Sequence, residues 1–164
     1  MAEEFKIGSN LTDEEKYSAL LRQIKFLLSK DDLLLSNLSN CTAALKQTFE
    51  KISWVGFYLF DGEKLYLGPF QGKVACTKIE LGKGVCGTAA LQKETIIVLD
   101  VTTFPGHIAC DDGTNSEIVV PILKGNELIG VLDLDSYQFN AFNETDKKYL
   151  EELSKFLADS VFIK

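Results

Sequence analysis

The chain has 164 residues, of which 46% are hydrophobic and 25% charged, a composition of one globular domain that is neither disordered nor fibrous. Seventeen Lys and Arg against 24 Asp and Glu leave a net charge of -7, which repels phosphate backbones and anionic headgroups and so argues against nucleic acid or membrane as a partner. No apolar run approaches the ~18 residues of a membrane span, and four cysteines behind the opening MAEEFKIGSN, which lacks a basic region followed by an apolar stretch, predict reduced thiols in the cytoplasm.

Without internal repeats or a linker, residues 1–164 read as a single domain. Thr12-Asp13-Glu14-Glu15 is a capping box, the Thr12 hydroxyl covering a free N–H of the first turn while Glu15 reaches back. Leu20, Leu21, Ile24, Leu27 and Leu28 then recur at helical spacing to about Ser29. Asp31-Asp32 is expected to open a second helix that carries Leu34, Leu38, Cys41, Leu45 and Phe49. From Ser53 the period becomes two. Trp54, Gly56, Tyr58 and Phe60 alternate with Val55, Phe57 and Leu59, both faces are apolar, and the strand should be central.

Asp61-Gly62 signals a hairpin whose second strand runs over Lys64–Phe70. Cys76–Leu81 reads as another strand, broken by Gly82-Lys83-Gly84 before a short helix from Val85 to about Lys93. Thr95–Leu99 is a brief buried strand. Val101–Asn115, with Pro105, Gly106, Gly113 and several Asp, is a loop, and so long a loop in a compact domain points to function. Ser116–Leu123 and Leu128–Asp135 form a hairpin, and Asn143-Glu144-Thr145-Asp146 starts a last amphipathic helix. The fold class is therefore α+β: a mainly antiparallel sheet of about six strands, flanked by N-terminal helices and a C-terminal helix.

The cysteines carry the chemistry. Structural zinc sites draw ligands in pairs two to four residues apart, and no two cysteines here stand so close, so no metal is expected. Thiol redox chemistry fits better: an attacking thiolate that takes up oxygen becomes a sulfenic acid, and a second thiol converts that to a disulfide. Cys110 lies in the long polar loop, Cys76 at the start of a strand, and Cys86 at a helix N-terminus, a position that lowers a thiol pKa. Cys41 falls on an apolar helical face and reads as a small hydrophobe. Asp111 and Asp112 beside Cys110 should raise its pKa.

Glu117 begins an otherwise apolar strand. Asp133 and Asp135, two residues apart, share one face of another. Asp135 at the strand end has the alternative of merely capping the sheet. Converging in one pocket, the three acids would suit a cationic ligand, and like charges would keep one of them protonated. His107, the one histidine, either bonds to backbone or joins the site. Trp54 and Tyr58, on one strand face, either wall a small pocket or belong to the core.

The words Gly68-Pro-Phe-Gln-Gly-Lys-Val-Ala-Cys76-Thr, Gly82-Lys-Gly-Val-Cys86-Gly-Thr, Phe104-Pro-Gly-His-Ile-Ala-Cys110-Asp and Asn115-Ser-Glu117-Ile-Val-Val-Pro121 closely resemble those of the free methionine-(R)-sulfoxide reductases, which are single GAF-domain enzymes. The resemblance runs from about Trp54 to Asp135. It implies a GAF-like fold and thiol-dependent reduction of free L-methionine-(R)-S-oxide, with thioredoxin (dithiothreitol in vitro) as reductant and no bound cofactor. By position Cys110 matches the attacking cysteine and Cys76 the resolving one, while Cys86 is a third that resolves or relays. Trp54 and Tyr58 match the pocket for the substrate methyl group. Glu117, Asp133 and Asp135 match the acids that bind substrate and assist catalysis, and backbone donors around Ala109 and Cys110 can receive its carboxylate. A homodimer is left open. Two other classes of function compete: a GAF-type module that binds a small ligand without catalysis, and an interaction protein whose disulfide senses peroxide.

Overall fold

A computed structural model describes residues 4–162. Its frame is a six-stranded sheet of order β3-β2-β1-β6-β5-β4, comprising β1 (Trp54–Phe60), β2 (Lys64–Gln71), β3 (Lys78–Glu80), β4 (Ile96–Val98), β5 (Ser116–Lys124) and β6 (Glu127–Ser136). Every pairing is antiparallel. β1 lies between β2 and β6, as its two apolar faces require. Helices α1 (Asp13–Leu27), α2 (Leu34–Thr48) and α4 (Glu144–Ser160) cover one face, and the short α3 (Gly84–Gln92) covers the other. Among the described residues no helix is long and apolar enough to cross a membrane.

Strand alternation assigns side chains to the two layers. Val55, Phe57, Ile118, Val120, Leu132 and Leu134 face the three-helix layer and pack on Leu20, Ile24, Leu38 and Leu150. The intervening residues Trp54, Tyr58, Val119 and Val131 face α3 and pack with Val85, Cys86 and Ala89. The helix termini follow local chemistry. Thr12 and Asn143 cap α1 and α4 with complete capping boxes.

α2 begins at Leu34 rather than at Asp31-Asp32, with Leu33 in the cap position and no side-chain cap. The cause is Asn37. Its amide accepts from Ser29 N–H at 3.2 Å and donates to Ser29 carbonyl at 2.7 Å, which holds the connecting segment as a turn. The strand expected from Cys76 is also shorter, reduced to Lys78–Glu80. Cys76 sits outside it, its carbonyl accepting from the Tyr58 hydroxyl at 3.1 Å. The remaining elements match the expected ones to within two residues, and a 3-10 turn, Val101–Thr103, opens the long loop.

The helical layer is pinned by one buried charge. Asp146 is fully buried and accepts from the Tyr17 hydroxyl at 2.7 Å, from Lys51 Nζ at 2.8 Å and from Asn143 N–H at 2.9 Å. It thus ties α1, the approach to β1 and the start of α4. Burial and the adjacent carboxylate hold the Tyr17 phenol well above its ordinary pKa. Removing one member of such a set strands the others without partners. Asp146→Ala is therefore expected to cost about 3 kcal/mol of unfolding free energy in denaturant titrations; a loss under about 0.5 kcal/mol, the size of a surface substitution, would contradict the assignment.

Candidate active site

Register places the acids. Trp54 on β1 pairs with Asp135 on β6, which pairs with Glu117 on β5. Two residue pairs along, Gly56 pairs with Asp133, which pairs with Val119. Partners across antiparallel strands point to the same face. Trp54, Asp135 and Glu117 therefore form one row, Asp133 sits diagonal to Glu117, and all four face α3. Glu117 and Asp133 are each 6% exposed, and Asp135 is half-buried. A cavity above the row is lined by these residues together with Tyr58, Cys86, His107, Ile108 and Cys110. The sheet supplies its floor, α3 one wall and the long loop the other.

Glycine shapes the aromatic side. Any Cβ on Gly72, where φ is +137°, would come within 2.5 Å of Trp54 Cδ1. The indole lies against this bare backbone, and its Nε1 donates to Lys73 carbonyl at 3.0 Å. Its ring stacks on Phe70 at 5.5 Å and on Tyr58 at 6.1 Å between centroids. Gly84 has φ +60°, and a Cβ there would meet Ile108 at 3.1 Å. Gly72→Val is accordingly expected to strain the backbone and displace the indole, costing about 1–3 kcal/mol. Thermal melts with tryptophan fluorescence read both effects, and an unchanged melt and spectrum would refute the packing.

Cys76 and Cys110 are joined in a disulfide, with Cα atoms 6.0 Å apart and a sequence separation of 34. That separation lies within the usual Cα range for a disulfide. Cys110 is on the exposed stretch of the loop and Cys76 is half-buried. The cavity between them and the acids has a free volume of about 40 Å³.

Asp111 ties the loop to the segments that follow β2 and β6. Asp111 accepts from Gly113 N–H at 3.0 Å, from the Tyr137 hydroxyl at 2.7 Å and from Lys73 Nζ at 3.1 Å. These bonds hold the Asp111 carboxyl below its ordinary pKa, the Gly113 N–H contributing most. The charge that the sequence sets beside Cys110 is thus matched by a lysine. Neither Lys73 nor Tyr137 is singled out by spacing. The Gly72-Lys73 turn two residues before Ala75-Cys76 is the one available signal for the first, and Tyr137 lies just past β6 with none.

Cys86 corrects one expectation. It stands in the first turn of α3, yet its thiol is held well above its ordinary pKa. Burial is the first cause, and Asp133 and Glu117 across the cavity the next, so desolvation and like charge outweigh the helix terminus. The carboxyls respond to one another in the same way. Burial and then Asp135 lift Glu117, burial and then Glu117 lift Asp133, and burial and then Asp133 lift Asp135. Asp133 Oδ1 is buried and has no hydrogen-bond partner. His107 lines the cavity with its Nε2 3.4 Å from Glu117 Oε2, and burial lowers the imidazole pKa. Cys41 is buried on α2 in the opposite layer, its thiol pushed up to about 12 by burial.

Residues 36–161 match the GAF domain family. GAF domain-containing protein A of Dictyostelium discoideum is 52% identical over 158 residues, covering 96% of this chain and 99% of that protein. The free methionine-R-sulfoxide reductase of Saccharomyces cerevisiae is 43% identical, covering 99% of this chain and 95% of that one. The chain belongs to the free methionine-(R)-sulfoxide reductase family. Among solved structures, the family's Neisseria meningitidis member in complex with its substrate superposes with a TM-score of 0.89 at 42% identity, covering 95% of each chain. The expected GAF-like architecture is the observed one. Trp54, Tyr58, Cys86, Cys110, Glu117, Asp133 and Asp135 line its cavity; Cys76 stands behind the lining, bonded to Cys110, and Ala109 is exposed on the loop beside Cys110 and does not line it.

Proposed function

We propose that the chain reduces free L-methionine-(R)-S-oxide to L-methionine, with Cys110 as nucleophile and Cys76 as resolving thiol. The observation that carries this reading is a cysteine pair able to close a disulfide over an acid-floored cavity. The Cys110 thiolate attacks the sulfoxide sulfur while a protonated acid of the Glu117–Asp133 pair donates to the sulfoxide oxygen. The oxygen, now a hydroxyl on the substrate sulfur, passes to the Cys110 sulfur; the new S–S bond and the substrate S–O bond break together, methionine leaves, and Cys110 is a sulfenic acid. Cys76 then displaces that oxygen as water and forms the disulfide, so that two thiol electrons have reduced one sulfoxide. A thioredoxin dithiol in the cytoplasm takes the disulfide back to two thiols.

Carboxyls lifted by burial support the acid role, since one held protonated near neutral pH can donate. An ionised neighbour pairs with the substrate ammonium, and the Trp54 and Tyr58 rings receive its methyl end. Once the loop draws back in the reduced form, backbone N–H groups at Ala109 and Cys110 receive its carboxylate. With the disulfide closed, about 40 Å³ of free volume is far below the ~300 Å³ of a typical ligand pocket. The disulfide form is thus the product state, and reduction lets the Cys110 loop draw back.

The test is methionine release from separate R and S epimers with thioredoxin and its reductase. Turnover of the R epimer alone is expected, with N-acetylation of the substrate cutting kcat/KM by roughly 10²-fold or more, the cost of an unpaired buried charge. Equal turnover of both epimers, or of the acetylated compound, would contradict the reading.

A further inference from the structure

We propose that Cys86, Glu117 and Asp133 form a binding site for a soft divalent cation such as zinc, and that a bound cation shuts the cavity to other ligands. The Cys86 sulfur and one oxygen from each carboxylate lie within 4.8 Å of one another, and all three residues are buried. Zinc holds sulfur at about 2.3 Å and oxygen at about 2.0–2.2 Å, which sets tetrahedral ligand atoms ~3.5 Å apart. Rotamer adjustments of about an ångström would therefore suffice.

Two further observations point to a cation. Asp133 Oδ1 is buried and unpartnered, a state that costs free energy until a donor or cation arrives. No Lys or Arg pairs with Glu117, Asp133 or Asp135 among the described residues, Lys73 being engaged by Asp111 instead. His107 Nε2, 3.4 Å from Glu117 Oε2, is placed to become the fourth ligand, and a thiolate, an imidazole and two carboxylates are a zinc-type donor set. Burial and then the neighbouring acids hold the Cys86 thiol protonated, and that thiol would lose its proton to solvent as the cation binds. The ligands come singly from α3, β5, β6 and the loop, so no paired spacing announces them in the sequence.

Cation binding does not depend on the catalytic reading, whereas inhibition of sulfoxide reduction by the cation does. The experiment therefore reads binding directly. A C76S/C110S double variant leaves Cys86 as the one thiol of the cavity, and cobalt(II) serves as a spectroscopic probe for zinc. Cobalt is expected to give a thiolate-to-metal charge-transfer band in the near ultraviolet, saturating at one equivalent and abolished by one equivalent of zinc. Adding C86S should remove the band. Adding E117Q should keep the fold by circular dichroism and weaken cobalt binding by at least about tenfold, with C86S failing to fold leaving this variant decisive. No band, a band that survives C86S, or unaltered affinity in E117Q would each overturn the site.

Discussion

The Cys110→Ser variant is expected to release no methionine from methionine-(R)-sulfoxide, even in a single turnover with enzyme in excess. The hydroxyl is a poor nucleophile without an adjacent base, and neither remaining nearby thiol replaces it: Cys76 does not line the cavity, and Cys86 is buried with its thiol held well above its ordinary pKa. Cys76→Ser should behave differently. It keeps the attacking thiol and so forms one equivalent of methionine in the first turnover, after which Cys110 stays as a sulfenic acid that dimedone traps. Multiple turnover with thioredoxin should then fall by more than about 10³-fold, because the substrate disulfide of thioredoxin exchange is missing. Rapid-quench methionine analysis separates the two variants. A full first turnover by Cys110→Ser, or sustained thioredoxin-driven turnover by Cys76→Ser, would show that the roles are wrongly assigned.

Glu117→Gln and Asp133→Asn are each expected to lower kcat by roughly 10²–10⁴-fold, the usual worth of a positioned acid. The cysteines should still form their disulfide with a chemical oxidant, which separates loss of the acid from loss of the fold. pH sharpens the test. Folding lifts both carboxyls above their ordinary values, so the folded chain retains protons that the unfolded chain releases above about pH 4. The stability linked to these groups is complete below that pH and is lost as pH rises through the raised folded values. Wild-type melting temperature should therefore decline on going alkaline, and Asp133→Asn, with nothing to ionise, should flatten that decline. Activity should fall over the same range as the pair loses its shared proton, the two acids titrating as a unit. A wild-type melting temperature that rises with pH would reverse the sign and remove the basis for a protonated acid.

Much of the frame was legible because its residues announce their period. The two apolar faces of Trp54–Phe60 require a central strand, and β1 occupies that place. The boxes at Thr12 and Asn143 set the starts of α1 and α4. Where the sequence misleads, a tertiary bond has displaced a local preference. Asn37 clamps Ser29 and delays α2 past the attractive Asp31-Asp32, and the bonds at Cys76 keep it out of β3.

The site divides in the same way. That Asp133 and Asp135 share a face follows from a period of two, but their alignment with Glu117 depends on the register of the β5–β6 hairpin, which shifts between Ile122 and Leu123 in a way the turn alone does not set. The high pKa of the Cys86 thiol follows from what lies across the cavity, while its sequence context, a helix N-terminus, points the other way. The Lys73–Asp111–Tyr137 clamp links three segments that are remote in sequence, so composition around Cys110 alone shows a bare negative charge where the fold provides a paired one.

The most direct measurement combines stoichiometry with mapping. Fully reduced protein is mixed anaerobically with one equivalent of free methionine-(R)-sulfoxide and no external reductant, and then methionine, remaining thiols and disulfide-linked peptides are quantified together. One methionine formed per two thiols lost, with Cys76 and Cys110 in the linked peptide, is the predicted result. Methionine formed with all four thiols still titratable, or a linkage that omits Cys110, would contradict it.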